Sequence, residues 1–543
     1  MMKNSERWNK SSQKEKISEY CRIVKVLFFS ALVVGIWMKM GFRYAIFCGS
    51  ELILISTVAN ELKSTKVKYI IRSVGELFVG VQMFLLIYGR VYLNLVMVTN
   101  LGLLEDISGN AILYIGSAIV LIVMAFLPSQ EKKYIHFWNK ILLVSMAIIE
   151  VVLFLILGNS FSPTYAYGEL VKQQYAQIKL KKKIIEMGGE AADDFFHQNV
   201  DDFYKKPEEL PENPNIVIIF TEGLSQNIVD DERNIMPNVR KYQQKALTFD
   251  GYYNHTFATF RGLIGQLYSG YQMDNYDTNQ LVSLQDILNV KGYSTTFINV
   301  EPNNELFTTY LSNMEFEYLE GERQEAIHGE AHTISDKDAY EKLYSVMEAR
   351  GEDGKPFMIS MYTFGTHATL DSKDEKYGDG SVAELNKFYN VDYQFGEFMR
   401  KFEKSKFAKN TILVFTADHC AYLDNEFYNA FPNWRRDSWG VDQIPLFIYY
   451  DGIEHKVIDV DGRNSLDFTP TICDYLDISS ENYFLGISLF ADAENKSEYD
   501  TIFHQGQDYI STRGNIISEI SESEKNDLKK EIAKYYSICQ ERQ

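Results

Sequence analysis

The sequence contains few cysteines and has no excess of basic residues. Its five cysteines are Cys21, Cys48, Cys420, Cys473 and Cys539, and no two of them form a CxxC pair. Such scattered cysteines argue against a disulfide scaffold. The formal net charge of the 543 residues is −20, whereas nucleic-acid binding requires Lys and Arg clustered on one face. We therefore expect that nucleic acid is not a partner.

The N-terminal sequence also lacks the pattern of a cleavable signal peptide, so we expect none. Residues 1–16 are polar, and no small-residue cleavage site follows the first apolar run. Apolar segments, each near the roughly 20 residues that cross a bilayer, recur at residues 24–41, 44–60, 74–97, 109–128 and 139–158. The sequence thus predicts an N-terminal multi-pass α-helical membrane domain with about five transmembrane helices over residues 23–160, after a cytoplasmic N-terminus at residues 1–22.

Basic residues predict how these segments are oriented. They cluster before the first segment, after the second and after the fourth, at Lys3–Lys16, Lys63–Arg72 and Lys132–Lys133. Alternate loops share one side of a membrane, and basic loops are cytoplasmic. Arg90 interrupts the third segment, which leaves the number of crossings open. With five crossings, we expect a protein of the cytoplasmic membrane whose part after residue 160 is extracytoplasmic.

Polar sequence separates these segments from the rest of the chain. The connector, residues 161–212, includes a Lys-rich helical pattern at Leu170–Met187, whose Lys181–Lys183 face either solvent or anionic headgroups. Prolines then form a rigid boundary at Pro207–Pro214. Strand and helix patterns alternate over residues 213–510, which predicts an α/β domain with a mostly parallel central sheet. Residues 511–543 are predicted to form a C-terminal helical tail.

Two predicted strands of this domain end in side chains that can bind a metal. Glu222 follows the buried-strand pattern Asn215–Thr221, and Asp418 and His419 follow Thr411–Ala417. In an open α/β sheet, ligands bind at the carboxyl ends of strands. We therefore expect Glu222, Asp418 and His419 to meet in one crevice as ligands of a divalent metal. The alternative is that they are ordinary loop residues.

A second candidate feature is the segment Asn254–Gly262, which joins a predicted strand to a predicted helix over Thr259–Tyr268. Backbone N–H groups at a helix start stabilise anions such as phosphate. A threonine hydroxyl there can act as a nucleophile if a metal lowers its pKa, and the alternative is an N-cap residue. His367 follows another predicted strand, where it can donate to a phosphate oxygen or protonate a leaving group.

These pieces together resemble a known family. Residues 213–510 resemble the alkaline phosphatase/sulfatase superfamily, and with the apolar segments the whole chain resembles the lipoteichoic acid synthase family of phosphoglycerol transferases. The resemblance rests on segments that keep the family's order, namely Asn215–Glu222, Met236–Val239, Phe249–Thr256, Leu281–Leu288 with Gly292–Tyr293, Thr366–His367, Phe415–His419, Ile444–Ile448 and Asp467–Ile472.

The resemblance implies one divalent metal ion, with Mn²⁺ preferred and Mg²⁺ and Zn²⁺ as alternatives. Its implied ligands are Glu222, Thr259, Asp418 and His419. The resemblance also implies Thr259 as the nucleophile, with Thr256 as the second choice, and His367 as a substrate-side catalytic residue. Beside them, His255 and Arg261 are expected to contact the substrate.

The implied activity moves a phosphoglycerol-type headgroup from a phospholipid donor, through a phospho-threonine, to an extracytoplasmic glycan or glycolipid acceptor. The region Asn303–Tyr310, where the family's glycerophosphate-binding residues should fall, contains no Arg, so a phosphoethanolamine transferase remains an alternative. The helix start lacks the Cys or Ser and the Pro of the sulfatase motif, which argues against sulfatase chemistry, and a phosphodiesterase or other hydrolase of the superfamily stays open. An inactive scaffold that binds glycans or lipids is the non-enzymatic alternative.

Overall fold

The structure is a computed structural model that describes residues 2–99, 111–128, 136–187, 190–274, 279–321, 333–368, 370–436, 438–492 and 495–539. The chain divides into two compact units, Met1–Ala176 and Gln177–Gln543. The predicted connector, residues 161–212, is divided between them. The predicted α/β domain, 213–510, and the predicted tail, 511–543, both lie within the second unit.

The first unit is helical. Its helices are α1 (Met2–Met40), α2 (Phe42–Glu61), α3 (Thr65–Gly89), α4 (Leu95–Thr99), α5 (Ala111–Ala125), α6 (His136–Leu157) and the first part of α7 (Pro163–Met187). Four stretches are long and apolar enough to cross a membrane, namely Lys16–Met40, Phe42–Glu61, Thr65–Gly89 and Phe137–Leu157. The predicted fourth segment contains the shorter apolar helix Leu113–Ala125. The first residues of that segment, 109 and 110, lie outside the described residues. The five crossings and the orientation therefore stay predictions.

The third predicted segment has different bounds in the structure. Helix α3 covers Thr65–Gly89, whereas the apolar pattern predicts residues 74–97. Arg90 adopts a left-handed conformation with φ 52° and caps the helix. Arg90 therefore does interrupt the predicted apolar segment, and only the bounds of that segment differ from the prediction. The pattern misled because the apolar helix α4 resumes soon after the break.

The second unit alternates helices and strands. Its elements are α8 (Ala192–Phe195), β1 (Asn215–Thr221), α9 (Gln226–Val229), α10 (Pro237–Gln243), β2 (Leu247–Asp250), α11 (Thr259–Tyr268), α12 (Leu284–Val290), β3 (Ser294–Ile298), α13 (Glu305–Ser312), β4 (Tyr318–Glu320), α14 (Asp336–Glu352), β5 (Phe357–Tyr362), α15 (Ala383–Phe402), β6 (Thr411–Ala417), α16 (Asn425–Ala430), β7 (Leu446–Tyr449), β8 (Lys456–Asp459), α17 (Phe468–Tyr475), β9 (Ile502–Gln505), β10 (Asp508–Ser511), β11 (Ser518–Glu519) and α18 (Glu522–Cys539).

The main sheet has eight strands in the order β4-β3-β5-β1-β6-β7-β2-β8. Strands β4, β3, β5, β1 and β6 pair in parallel, whereas β7 is antiparallel to both of its neighbours. The sheet is therefore mixed but mostly parallel, as predicted. Its central strands β1, β5 and β6 are buried along their whole length, which explains their continuous apolar sequence.

The C-terminal part of the chain packs against the same unit. Strands β9, β10 and β11 form a small antiparallel sheet. Helix α18 buries Leu528, Ile532, Tyr535 and Tyr536 in a cluster that also contains Tyr509 of β10. The predicted tail is therefore helical over Glu522–Cys539, and this helix is an integral layer of the second unit.

Candidate active site

The candidate site lies at the carboxyl edge of the main sheet. Strands β1 and β6 are parallel neighbours, and their last residues, Thr221 and Ala417, are paired in register. Glu222 therefore emerges beside Asp418 and His419. One ligand atom from each of these three buried residues lies within 4.8 Å of the other two. The structure thus brings together the residues that the strand-end argument selected.

Hydrogen bonds orient two members of this group. The backbone N–H groups of Gly223 and His419 donate to Asp418 Oδ1 at 2.9 and 2.7 Å. The other oxygen, Oδ2, is buried and has no hydrogen-bond partner within the described part of the chain. The ring of His419 donates from Nδ1 to the Cys420 carbonyl at 2.7 Å. Its Nε2 therefore faces Glu222 Oε1 at 3.5 Å and Asp418 Oδ2 at 3.6 Å.

This donor set fits a divalent cation. Burial and the neighbouring Asp418 charge raise the pKa of the Glu222 carboxyl well above its ordinary value. Two crowded carboxylates, one with an unsatisfied oxygen, and an imidazole fixed through its other nitrogen are typical of a metal centre. A cation between them would offset the mutual repulsion of the carboxylates and the cost of burying them.

Thr259 is the first residue of helix α11, and its hydroxyl donates to Glu222 Oε2 at 2.9 Å. The residue before it, Ala258, has φ 78° and ψ 149°, a conformation that is rare outside glycine. The helix approaches the end of β6 closely, since a Cβ on Gly262 would lie 2.2 Å from the Asp418 carbonyl oxygen. The side chain of Gln266 also donates to the Ala417 carbonyl at 3.0 Å. These contacts hold Thr259 against the carboxylate group.

Thr256 has a different environment. Its side chain is buried, and its hydroxyl donates to the backbone carbonyl of His504 at 3.0 Å. That bond ties the loop before α11 to strand β9. The structure thus places Thr259 beside Glu222, and it gives the hydroxyl of Thr256 a contact within the fold.

Glu222, Asp418 and His419 are called the ligand group below, because they are the candidate metal ligands. His367 lies in a loop after β5 that is anchored to Glu222 of this group. Thr366 Oγ1 donates to the Glu222 carbonyl at 2.5 Å, and the Glu222 N–H donates to Thr363 Oγ1 at 3.3 Å. The His367 ring stacks on Phe364 with centroids 4.7 Å apart, and its Nδ1 donates to the Ala368 carbonyl at 3.2 Å. Burial and the positive charge of Lys387 lower the pKa of His367 to about 4. The imidazole is therefore neutral at neutral pH.

The structure does not bring His255 to this group. Its Nδ1 lies 2.7 Å from Ser465 Oγ, and its ring packs against Gly265 of α11. Burial lowers the pKa of His255 to about 3, so the ring is a neutral part of the core. Arg261 is buried and donates to the Met273 carbonyl at 3.4 Å. Two residues along a helix span about 200°, so Arg261 projects from the opposite side of α11 to Thr259.

Sequence reasoning missed Lys387 and Glu384, which lie behind the His367 loop. Both side chains are buried on α15, and they form an ion pair of 2.8 Å. Lys387 Nζ also donates to the His367 carbonyl at 3.3 Å. The signal that could have found them is the series of polar residues on an otherwise apolar helix face, which includes Asn390, Asp392 and Gln394.

Aromatic side chains line another side of the site. Phe257 packs on the His419 ring, with centroids 4.6 Å apart. Trp439 and Tyr422 contact Phe257 in turn, at 5.2 and 6.3 Å, and they are 37% and 36% exposed. The indole N–H of Trp439 donates to Asp508 Oδ2 at 3.3 Å. Phe257, Trp439 and Tyr422 thus form an aromatic row that extends from His419 to the protein surface.

The fold of the second unit is similar to that of known proteins. A solved structure of an alkaline phosphatase superfamily protein from Vibrio parahaemolyticus superposes with a TM-score of 0.50 at 18% sequence identity, and the match covers 66% of this chain and 98% of that one. Residues 214–478 match the family model described as Sulfatase. The second unit thus contains a domain that matches the Sulfatase family, and its fold is similar to that of the alkaline phosphatase superfamily protein.

Curated relatives extend the comparison. Phosphoglycerol transferase I of Xanthomonas euvesicatoria pv. vesicatoria is 21% identical over 387 residues, which cover 65% of this chain and 52% of the relative. Phosphoglycerol transferase I of Xanthomonas campestris pv. campestris is 26% identical over 180 residues, 32% of this chain and 24% of the relative. This chain thus spans at most about half the length of these two relatives.

Proposed function

We propose that this protein is a metal-dependent membrane phosphotransferase. It moves a phosphoglycerol-type headgroup from a phospholipid donor to an extracytoplasmic glycan or glycolipid acceptor, through a phosphodiester on Thr259. The single observation that carries the proposal is the hydroxyl of Thr259 at a helix start, 2.9 Å from Glu222 within the buried ligand group. The similarity to phosphoglycerol transferases supports the reaction class.

The metal would be held by Glu222, Thr259, Asp418 and His419, with Mn²⁺ as the preferred ion and Mg²⁺ and Zn²⁺ as alternatives. When bound, such an ion polarises a phosphodiester and lowers the pKa of a coordinated hydroxyl. Thr259 Oγ1 attacks phosphorus, its proton leaves toward Glu222 Oε2, and the bond from phosphorus to the diacylglycerol oxygen breaks. Glu222 passes this proton to the leaving oxygen, diacylglycerol departs as an alcohol, and the headgroup phosphate remains on Thr259.

The second half of the reaction needs a base for the acceptor hydroxyl. The neutral His367 ring donates from Nδ1 to the Ala368 carbonyl, so its Nε2 carries a lone pair. Nε2 accepts the proton of the acceptor hydroxyl as that oxygen bonds to phosphorus and the bond from phosphorus to Thr259 Oγ1 breaks, and the proton then returns to Thr259 Oγ1. The anchored loop fixes the ring beforehand, which limits the entropy lost in the reaction.

The aromatic row supports a glycan acceptor. Phe257 lies against His419, and the exposed rings of Trp439 and Tyr422 continue from it toward solvent. Aromatic faces stack on the C–H faces of sugars, and the carboxylate of Asp508 beside Trp439 can accept hydrogen bonds from sugar hydroxyls. The basic loops of the membrane part support an extracytoplasmic site.

A second candidate is the transfer of an aminated headgroup such as phosphoethanolamine. Glu301 follows strand β3 at the same sheet edge, and its negative charge contributes to the raised pKa of Glu222. A carboxylate beside the site favours a cationic headgroup over a neutral one. The region Asn303–Tyr310, which follows Glu301 directly, contains no Arg.

Donor turnover in nanodiscs tests both candidates. The full chain is incubated with phosphatidylglycerol or with phosphatidylethanolamine, and diacylglycerol release is followed. We expect release from phosphatidylglycerol, reduced at least about a thousandfold in Thr259→Ala, because the nucleophile is removed. Consumption of phosphatidylethanolamine alone would favour the second candidate. Equal turnover by wild type and Thr259→Ala would exclude a threonine nucleophile at this position.

A further inference from the structure

Helix α7 carries an exposed apolar stripe along one side. Val171, Tyr175, Ile178 and Ile185 are 68%, 68%, 58% and 75% exposed. Because a helix turns once every 3.6 residues, their spacing places all four on one face. The stripe runs along most of the 25-residue helix.

The opposite face of α7 is used for packing. Ile184 is buried, and Leu180 packs with it in the cluster formed by Leu528, Tyr535 and other residues of the second unit. These two residues lie roughly 180–220° around the helix from Val171. The helix therefore has one face that serves the protein core and another that presents aliphatic and aromatic side chains outward.

Exposed lysines lie along one side of the apolar stripe. Lys172, Lys179 and Lys183 are exposed and lie about 80–120° from its centre. Lys182 lies within the stripe, its side chain is 80% exposed, and its nearest acidic partner is Glu186 at 4.0 Å. The long stems of lysines can lie along an apolar surface while their ammonium groups reach polar surroundings. This arrangement is typical of helices that lie in a membrane interface.

We propose that the outer face of α7 lies in the headgroup layer of the membrane and binds anionic phospholipids. Two observations identify a membrane as the partner of this face, namely the position of α7 in the chain and the charge of its lysines. Residues 158–162 alone separate α7 from the candidate membrane span Phe137–Leu157, so the helix begins close to a bilayer surface. Ammonium groups beside a bilayer attract anionic headgroups, and the apolar stripe inserts below them.

A second copy of the chain fits this face less well. A symmetric contact through the stripe would bring Lys182 and its neighbouring lysines from both copies into one buried contact, and like charges in such a contact are unfavourable. A bilayer surface with anionic lipids supplies both the apolar layer and the opposite charge that this face requires.

Depth-dependent fluorescence quenching tests the proposal on the full chain in nanodiscs that contain phosphatidylglycerol. Ile178→Cys, in a Cys21→Ser background, is labelled with an environment-sensitive fluorophore, because the remaining cysteines are buried. The matched control is Val290→Cys at the end of α12, another aliphatic residue, which is 86% exposed. Quenchers are spin labels placed at shallow depth on lipid chains.

We expect the label at position 178 to show blue-shifted emission and to lose most of its fluorescence to the shallow quencher, while the label at position 290 changes little. Charge reversal at Lys179, Lys182 and Lys183 should reduce the quenching at position 178. Equal quenching at positions 178 and 290 would overturn the proposal. So would disulfide-linked dimers through position 178, which would identify a second copy as the occupant. Neither readout depends on turnover, so the test stands apart from the proposed reaction.

Discussion

Ala258 is the residue where the backbone departs most from ordinary geometry next to the candidate nucleophile. At φ 78° and ψ 149°, an alanine is strained by about 1–3 kcal/mol relative to a glycine. We predict that Ala258→Gly raises the free energy of unfolding by about 1 kcal/mol or more, because glycine adopts this conformation without a steric penalty. Chemical denaturation of the purified protein measures the change.

A matched alanine tests whether this effect comes from the backbone. Ala339 is buried in helix α14, where its N–H bonds to the Ser335 carbonyl. Ala339→Gly should lower the free energy of unfolding by about 1 kcal/mol, since glycine is unfavourable inside a helix. If both substitutions change stability in the same direction, the strain assigned to Ala258 is absent.

Individual candidate ligands could be predicted to lie together where they follow the ends of neighbouring strands. Glu222 and Asp418 each follow a buried strand directly, and His419 comes next to Asp418, so the sheet edge determines where they emerge. The positions of His255 and Arg261 relative to the candidate site could not be predicted, because the sequence around a helix start does not reveal which side chains face the sheet. The loop bond of Thr256 to the His504 carbonyl joins residues 248 positions apart, and no local pattern predicts it.

Within the membrane part, one buried ion pair joins two helices. Lys25 Nζ of α1 lies 2.5 Å from Glu76 Oε2 of α3 and donates to the Ala125 carbonyl at 2.7 Å. Replacing Lys25 removes the buried positive charge beside the Glu76 carboxylate, and breaking such a buried pair costs about 3–5 kcal/mol. We therefore predict that Lys25→Met lowers the melting temperature of the purified protein in detergent.

The control for this pair is the double variant Lys25→Met/Glu76→Leu, which replaces both charges with apolar groups of similar size. It should recover most of the lost stability. A double variant that melts no higher than Lys25→Met would show that the lysine acts through its packing, and not through its charge.

His504 of β9 connects the core to the C-terminal helix. Its Nε2 lies 2.9 Å from the Tyr536 hydroxyl of α18, and burial lowers the pKa of His504 to about 3. Below the ordinary histidine pKa of about 6.5, the unfolded chain binds a proton that the folded chain does not, so stability falls as pH falls. We predict that His504 contributes a loss of about 1.4 kcal/mol per pH unit between about pH 6 and pH 4.

Urea unfolding of wild type and His504→Gln over this pH range measures that slope. The variant should be less stable at neutral pH and should lose stability less steeply on acidification. Tyr536→Phe, which keeps the imidazole, should retain the steep dependence. Parallel pH profiles for wild type and His504→Gln would contradict a neutral buried ring.

Elements were predictable where periodicity and burial agree. The helix Thr259–Tyr268 and the strand bounded by Thr411 and Ala417 have the predicted limits. The end of α3 at Gly89 depends on the left-handed conformation of Arg90, which apolar periodicity does not register. The short strand β8 is largely exposed and lacks an apolar run, so its pairing beside β2 could not be foreseen.

For the whole molecule, the proposed function requires one divalent ion per chain. Elemental analysis of the purified protein should find about one equivalent, and a chelator should lower its melting temperature because binding stabilises the folded state. Asp418→Asn should lose the ion, since it removes a charged ligand while preserving shape. Glu301→Gln, at a buried carboxylate outside the ligand group, should keep it. Equal metal content in both variants would contradict the assigned ligands.

The separation of the chain into an apolar helical part and an α/β part could be predicted from composition, because apolar helices precede an alternating α/β pattern. The extent of the second unit was harder to predict from the sequence. This unit runs from Gln177 to Gln543 and includes α18. That helix is rich in charge, and its buried tyrosines meet partners such as Tyr271 far away in sequence. Contacts of this kind come from tertiary packing and leave no local signal.

Tandem mass spectrometry of the protein after brief incubation with phospholipid tests the central claim most directly. We predict a phosphodiester-linked headgroup on Thr259, present in wild type and in Thr256→Ala and absent from Thr259→Ala, with the mass of the adduct identifying the headgroup. A headgroup on Thr256, or lipid turnover with no adduct on any residue of the segment Asn254–Gly262, would contradict it.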